Sequence, residues 1–182
     1  VLVPFATGFE EIEMLTVVDI LRRAGADVCL AGLDGKAPVI GRSNVSVIPD
    51  MSFDEAVAQG AYDLIFLPGG MPNSETLRHD LRLRQLLKDQ AEKENGWVGA
   101  ICAAPMALAE AGLLKGRTFT CHPGAKANVP SDGYREDDVV LSGNILTSRS
   151  PGSAMAFAFA LVERLYDRAK VDQVNAGVLA KL

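Results

Sequence analysis

Cys102, in the stretch AICAAP at residues 100–105, is the residue of this chain best suited to covalent chemistry. The apolar run before it is typical of a buried strand end, and the proline after it is typical of a first helical turn. A thiol at such a turn faces unpaired N–H groups and the positive end of the helix dipole, which favour the thiolate. Cysteine is also a common inert core residue, but the strand-to-helix position favours a nucleophile.

Two other stretches offer partners for the thiol. Glu13 ends the motif GFEEIE at residues 8–13, and carboxylates in a first helical turn are commonly solvated. If Glu13 points into the site instead, burial would raise its pKa and let it exchange a proton with the thiol. LPGGMP at residues 67–72 ends another predicted strand. The N–H of Gly70, with that of Ala103, could form an oxyanion hole there, although a plain tight turn also explains paired glycines.

The setting of each remaining histidine and cysteine suggests its place. His122 follows Cys121, and because neighbouring residues of an extended chain point to opposite faces, at most one of them should share a site with Cys102. We expect His122 near the site, where it could orient a group or exchange a proton. His79, in the polar sequence LRHD, is predicted at the surface, and Cys29, in mid-strand, is predicted in the core.

Short apolar runs are the elements that must position these residues. They lack polar alternation, which is typical of parallel strands buried on both faces, and helix-like segments separate them. The sequence therefore predicts an α/β fold with a mostly parallel central sheet covered on both sides, organised as a single domain over residues 1–182. Ligands bind at the carboxyl ends of such strands. The predicted strands are residues 1–6, 28–31, 63–67 and 98–101.

Capping and turn signals predict the other elements. A small antiparallel insertion is expected around the polar turn at residues 41–44, and two late strands around residues 142–143. The predicted helices are residues 9–25 after a capping box at 7–10, a short helix after a second box at 52–55, a charged helix at 80–94 and a long apolar helix starting at Pro151.

The first predicted helix carries apolar residues on two sides. This pattern fits either a helix in the middle of the core or one held between its own sheet and a second subunit, and in a chain of this size we favour the subunit contact. A homodimer through the first helix is therefore expected. One side holds Ile12, Leu15 and Ile20, and the other holds Met14, Val17, Val18 and Leu21.

Composition excludes several classes of function. A net charge of −5 over 182 residues gives no basic surface for nucleic acid or for an anionic membrane. The longest apolar run, residues 154–162, is too short to span a bilayer. Three cysteines, at positions 29, 102 and 121, lack metal-ligand spacing, and their odd number favours a reducing, cytoplasmic compartment. No cleavable leader is visible, and since the first residue is not methionine, a preceding segment stays an open question.

Several motifs in this order resemble the ThiJ/PfpI superfamily, and most closely its branch of parkinsonism-associated deglycases. Each motif alone is weak evidence, but their joint order extends over nearly the whole chain. The matching stretches are GFEEIE at 8–13, LRRAG at 21–25, VCLAGLDGKAPV as a relaxed match at 28–39, YDLIFLPGG at 62–70, AICAAP at 100–105, HP at 122–123 and LTSRSPG at 146–152.

The resemblance implies a flavodoxin-like three-layer α/β/α sandwich, commonly a homodimer, that works without a cofactor or a metal. It places Cys102 as the nucleophile, Glu13 as its acidic partner and His122 as the nearby histidine. Gly70 and Ala103 take the positions of the backbone oxyanion donors.

Two positions depart from the family pattern. Peptidase-like members have a histidine directly after the nucleophile, where this chain has Ala103, so a Cys-His protease is disfavoured. Some close relatives carry a second cysteine before the Pro49-Asp50 pair, where this chain has Ile48. Redox behaviour that depends on that second thiol is therefore not expected here.

The activity implied by the resemblance is cofactor-free chemistry on reactive dicarbonyls. It is either a glyoxalase, which converts methylglyoxal to lactate (a lyase), or a deglycase, which removes early glycation adducts (a hydrolase). A different class is also open: a redox-sensing stress protein or chaperone whose Cys102 is oxidised to a sulfinate.

Overall fold

A computed structural model describes residues 1–181, so the last residue of the predicted 1–182 domain lies outside the described residues. Two 3-10 turns, Pro123–Asn128 and Pro151–Ser153, supplement the helices and strands. The helices and strands, in chain order, are β1 (Leu2–Phe5), α1 (Glu11–Arg23), β2 (Cys29–Gly32), β3 (Val39–Ile40), β4 (Ser46–Val47), β5 (Met51–Ser52), α2 (Phe53–Gln59), β6 (Leu64–Leu67), α3 (Asn73–His79), α4 (Leu81–Glu92), β7 (Trp97–Ile101), α5 (Pro105–Glu110), β8 (Val139–Ser142), β9 (Ile145–Ser148), α6 (Ala154–Leu165) and α7 (Arg168–Val178).

Seven strands form one sheet in the order β5-β2-β1-β6-β7-β9-β8, and every pair is parallel except β8 with β9. Successive residues of a strand enter opposite layers, since Val3 and Phe5 pack with α1, α6 and α7, whereas Leu2 packs with α2 to α5. The predicted α/β sandwich is confirmed. The predicted antiparallel insertion is the separate β3–β4 hairpin.

The capping predictions give one success and one error. Ser52 caps α2 with both bonds of a capping box, as predicted. The capping box predicted at residues 7–10 is wrong, because α1 begins at Glu11 and not at residue 9. The side chain of Glu10 caps it by accepting a 2.8 Å hydrogen bond from the N–H of Glu13. Gly8, in the left-handed region at φ 80°, turns the chain between β1 and the helix.

Two other helix predictions need small corrections. The charged segment predicted as residues 80–94 begins one residue later and ends two residues earlier, as α4. Asp80 caps α4 by accepting hydrogen bonds from the N–H groups of Arg82 and Leu83, while His79 ends the preceding α3. Pro151 opens a 3-10 turn, and the buried apolar helix α6 follows it.

Helix α1 has one exposed apolar side, but the residues on that side are not all the ones predicted. Ile12 and Leu15 are 56% and 38% exposed, whereas Ile20 is buried because α1 packs against α6. Cys29 was also predicted in the core and is only half-buried, at the start of β2. Among residues 1–181, no helix is both long and apolar enough to cross a bilayer.

Candidate active site

Cys102 directly follows β7 and adopts a left-handed backbone conformation, with φ at 63°. This region disfavours residues with a Cβ atom and costs about 1–3 kcal/mol, so the surrounding structure must hold it in place. The Cys102 N–H donates to the carbonyl of Ser148 at 2.9 Å, and its carbonyl accepts from the N–H of His122 at 2.7 Å. The thiol therefore sits on a tight strand-to-helix turn of the nucleophile-elbow type.

Glu13, in the first turn of α1, is fully buried beside this thiol. Its Oε2 accepts a 2.8 Å hydrogen bond from the N–H of Gly69, which follows β6. Its Oε1 is buried without a nitrogen or oxygen partner among the described residues. Burial raises the pKa of Glu13 to about 7, although the interaction with Cys102 opposes the rise.

The Cys102 thiol also has a raised pKa, first because of burial and next because of the neighbouring Glu13 carboxylate. The N–H groups of Ala103 and Gly70 act in the opposite direction. The N–H groups at the helix end thus favour the thiolate, as expected, but desolvation of a thiol that is 8% exposed outweighs them. Protonation of Glu13 removes the carboxylate charge that opposes the thiolate, so the two groups titrate as one pair.

Two glycines after β6 allow this close packing. A Cβ atom on Gly69 would lie 2.7 Å from Cys102 Cβ and closer still to Glu13 Oε2. Gly70 has φ at 90°, and a Cβ atom there would collide with the carbonyl of Gly8. The buried Asn73 amide holds the turn by donating to the carbonyl of Gly69 at 3.0 Å. The paired glycines are thus required by the site as well as by the turn.

His122 is exposed. Its ring lines the same cleft as Cys102, and its Nδ1 accepts a 3.0 Å hydrogen bond from the N–H of Gly124. In the neutral form this contact leaves the proton on Nε2. Cys121 is fully buried and packs behind Met106 without lining the cleft itself, so only one member of the pair shares the site.

An open cleft of about 360 Å³ lies over these groups. The structure brings Cys102, Gly70, Ala103 and His122 to its lining, while Glu13 lies beneath them. No group of three or more His, Cys, Asp or Glu residues among residues 1–181 has a metal-binding arrangement.

Sequence reasoning missed several residues at the cleft. Arg42, on the β3–β4 hairpin, lines it, as do Met71 and Asn128. The polar turn at residues 41–44 was a detectable signal for the hairpin, but nothing in the spacing placed that hairpin at the carboxyl edge of the sheet.

Comparisons with known proteins agree with this geometry. Residues 1–164 match the model of the DJ-1/PfpI family. The chain belongs to the DJ-1/PfpI family. It is 42% identical over 183 residues to the Parkinson disease protein 7 homolog of Danio rerio, which covers 99% of this chain and 96% of that protein.

Two further DJ-1 relatives are similar over most of the chain. The crystal structure of Drosophila melanogaster DJ-1beta superposes with a TM-score of 0.94 at 38% identity, covering 100% of this chain and 97% of that one. Glutathione-independent glyoxalase DJR-1.2 of Caenorhabditis elegans is 37% identical over 158 residues, which is 86% of this chain and 82% of that protein. The predicted family membership and flavodoxin-like fold are confirmed.

Proposed function

We propose that this protein is a cysteine-dependent, cofactor-free enzyme that acts on reactive α-dicarbonyls such as methylglyoxal and glyoxal, or on their early glycation adducts. The observation that carries the proposal is the buried Glu13–Cys102 pair beside two backbone N–H donors at an open cleft. Membership of a DJ-1/PfpI family that includes a glyoxalase-named protein supports it.

The proposed reaction starts with the proton shared by the pair. Glu13 takes the proton from Cys102, and the thiolate sulfur attacks the aldehyde carbon of methylglyoxal to form a hemithioacetal. The N–H groups of Gly70 and Ala103 stabilise the oxyanion that develops on that carbon. A pKa of about 7 suits Glu13 to both accepting and returning a proton at neutral pH.

Product formation then needs an isomerisation and one hydrolysis. Glu13 first returns the thiol proton to the oxyanion, which completes the hemithioacetal and leaves the carboxylate free to act as a base. Glu13 then moves the aldehyde-derived C–H proton to the adjacent carbonyl carbon while the hemithioacetal hydroxyl proton passes to the former ketone oxygen, which converts the hemithioacetal into a lactoyl thioester. Water cleaves the thioester, which releases lactate and returns the thiol. In the deglycase form of the activity the same thiol displaces the amine at the carbinol carbon of an early adduct, Glu13 passes the thiol proton to the departing amine, and the same hemithioacetal forms. His122, with a proton on Nε2, is placed to orient the substrate oxygen.

Turnover of methylglyoxal to lactate tests this function. We expect Cys102→Ser to abolish it and Glu13→Gln to lower kcat by about 10²- to 10⁴-fold, which is the usual contribution of a positioned acid-base group. Cys29→Ser, at a half-buried thiol outside the cleft, is the matched control and should retain wild-type turnover. An unchanged rate in Glu13→Gln would contradict the proposed proton transfer.

The alternative function, a redox-sensing stress protein or chaperone, uses the same residues. Two equivalents of peroxide would convert the Cys102 thiolate to a sulfinate and two waters, and protonated Glu13 would donate a hydrogen bond to it. Both routes react through the Cys102 thiolate, so the raised pKa of the thiol slows both and does not separate them. Mass spectrometry of Cys102 after mild peroxide, paired with an aggregation assay, separates the two: chaperone activity should survive the loss of dicarbonyl turnover.

We also propose a homodimer through α1 and a cytoplasmic location. Ile12 and Leu15 expose apolar surface side by side on α1, as a subunit contact requires. The three cysteines are all free, in keeping with a reducing compartment.

A further inference from the structure

The cleft over Cys102 carries one permanent charge. Arg42 is the only lysine, arginine, aspartate or glutamate side chain in its lining, on a protein whose net charge is −5. Within residues 1–181 its guanidinium forms no ion pair and no hydrogen bond, whereas most arginines of this chain are paired. An uncompensated cation at the mouth of a reactive site attracts anionic ligands.

The backbone of Arg42 is held firmly relative to the reacting groups. Its N–H donates to the carbonyl of Phe9 at 2.9 Å, and the next N–H, of Ser43, donates to Glu11 Oε1 at 2.7 Å. Glu11 is buried at the start of α1, two residues before Glu13. The hairpin is thus fixed to the helix that carries the catalytic carboxyl, and the Arg42 charge acts to lower the Glu13 pKa.

A second donor lies in the same lining. The side-chain oxygen of Asn128 accepts a hydrogen bond from Arg78 at 3.3 Å, which leaves the amide –NH₂ for a ligand. Between these polar groups and the thiol the lining includes the apolar side chains of Met71 and Met106. The cleft therefore combines an anion-binding part with an apolar part.

The size of the cleft also points beyond a three-carbon substrate. Its volume of about 360 Å³ falls in the range of about 300–1,000 Å³ typical of sites that bury much larger ligands. Methylglyoxal, which is neutral, would leave most of this space and the arginine unused.

From these observations we propose that Arg42 makes the enzyme selective for α-ketoaldehydes that carry a carboxylate a few bonds from the reacting aldehyde. This inference rests on the proposed dicarbonyl activity. A single guanidinium matches a carboxylate in charge and in its two parallel hydrogen bonds, whereas a doubly charged phosphate would leave one charge uncompensated. Asn128 is the accessory donor, and the methylenes between the two ends of the substrate contact Met71 and Met106.

The test compares one substrate with and without its charge. We expect wild type to turn over 4,5-dioxopentanoate with a kcat/KM about 10- to 100-fold above that for its methyl ester, the effect of one charge-assisted hydrogen bond. Arg42→Gln should bring this ratio close to 1, mainly through the KM for the acid, and Arg42→Lys should keep part of it. The ratio of kcat/KM for the acid to that for the ester is the readout. Loss of the Arg42 charge also changes the pKa of Glu13, but this change affects both substrates and cancels in the ratio.

Lys88→Gln is the matched control, since it removes one exposed cation from α4, outside the cleft, and should leave the ratio unchanged. Absence of a preference in wild type, or a ratio that Arg42→Gln does not alter, would overturn the inference.

A binding experiment keeps this result separate from failure of the proposed activity. The unreactive acid 4-oxopentanoate should slow alkylation of Cys102 by iodoacetamide in wild type but not in Arg42→Gln, and its methyl ester should not slow it in either. This outcome supports anion binding by Arg42 even if no dicarbonyl is turned over. Equal protection in both proteins, or protection in neither, would show that Arg42 does not hold the carboxylate.

Discussion

The Glu13 carboxylate and the Gly69 N–H, 56 residues apart in the chain, are joined by a buried 2.8 Å hydrogen bond. It connects the first turn of α1 to the end of β6 and fixes the carboxyl group against the Cys102 thiol. A buried carboxyl without such a partner would be free to rotate away or would need water. The geometry of the acid-base pair therefore depends on the backbone of a third element, the turn after β6.

This dependence predicts that Gly69→Ala is a severe substitution. The new Cβ would lie 2.7 Å from Cys102 Cβ and would displace Glu13 Oε2, so activity should fall at least 10-fold and the free energy of unfolding by about 1–3 kcal/mol. Gly177→Ala is the control, because nothing lies within 4 Å of its Cβ position in α7, and a helical site gains up to about 1 kcal/mol. Chemical denaturation and methylglyoxal turnover measure both effects. A fully active Gly69→Ala would show that the Glu13 position is not critical.

The raised pKa of Glu13 predicts a pH-dependent stability. Its pKa is about 7 in the folded protein against 4.5 as the ordinary value, so between these pH values the folded state binds more protons than the unfolded state. Stability contributed by this group is therefore present below pH 4.5 and lost as pH rises through 7. Gln at this position does not titrate.

Urea denaturation of wild type and Glu13→Gln at pH 5 and pH 8 checks this linkage. The variant should gain about 2–3 kcal/mol relative to wild type between the two pH values, because about 1.8 units of the rise from 4.5 to about 7 are lost between pH 5 and pH 8, at about 1.36 kcal/mol each. A difference in unfolding free energy that stays constant between pH 5 and pH 8 would mean that Glu13 is ionised in the folded protein.

Much of the fold follows from local sequence signals. The buried strands β1, β2, β6 and β7 appear as short apolar runs, and the Ser52 capping box is complete within four residues. The Thr7 box failed because Glu10, which the box takes as its second member, is itself the cap of α1. The Glu10 side chain accepts a hydrogen bond from the N–H of Glu13. A sequence pattern cannot decide between two such caps, since the choice depends on how Gly8 turns the chain.

Part of the candidate site was predictable because its residues follow strand ends. Cys102 and Gly70 both do, so their common edge follows from the parallel sheet. The direction of the Cys102 pKa shift was missed because it depends on burial, which spacing does not reveal. Arg42 was missed because its hairpin is attached to α1 through Glu11, a contact between residues 32 and more positions apart.

The exposed apolar side of α1 predicts the effect of a charge placed on it. If α1 forms the subunit contact, Ile12→Glu should convert the dimer into a monomer, because an unpaired charge buried in an apolar interface costs several kcal/mol. Leu81→Glu is the control, since Leu81 is 71% exposed on α4 and lies outside the proposed contact. Analytical ultracentrifugation gives the mass of each protein. A monomeric wild type, or a dimer that persists in Ile12→Glu, would rule out this interface.

The left-handed backbone of Cys102 predicts an unusual order of stability between two inactive variants. Both Cys102→Gly and Cys102→Ala remove the thiol, but only glycine adopts φ near 63° without a Cβ penalty. In ordinary conformations glycine is the less stable of the two by about 0.4–1 kcal/mol because its unfolded chain is more flexible. At this position we expect the reverse, with Cys102→Gly more stable by about 1 kcal/mol. Equilibrium denaturation at a pH where both variants unfold reversibly measures the difference. If Cys102→Ala were the more stable, the elbow would hold little strain, and the nucleophile would owe its placement to packing alone.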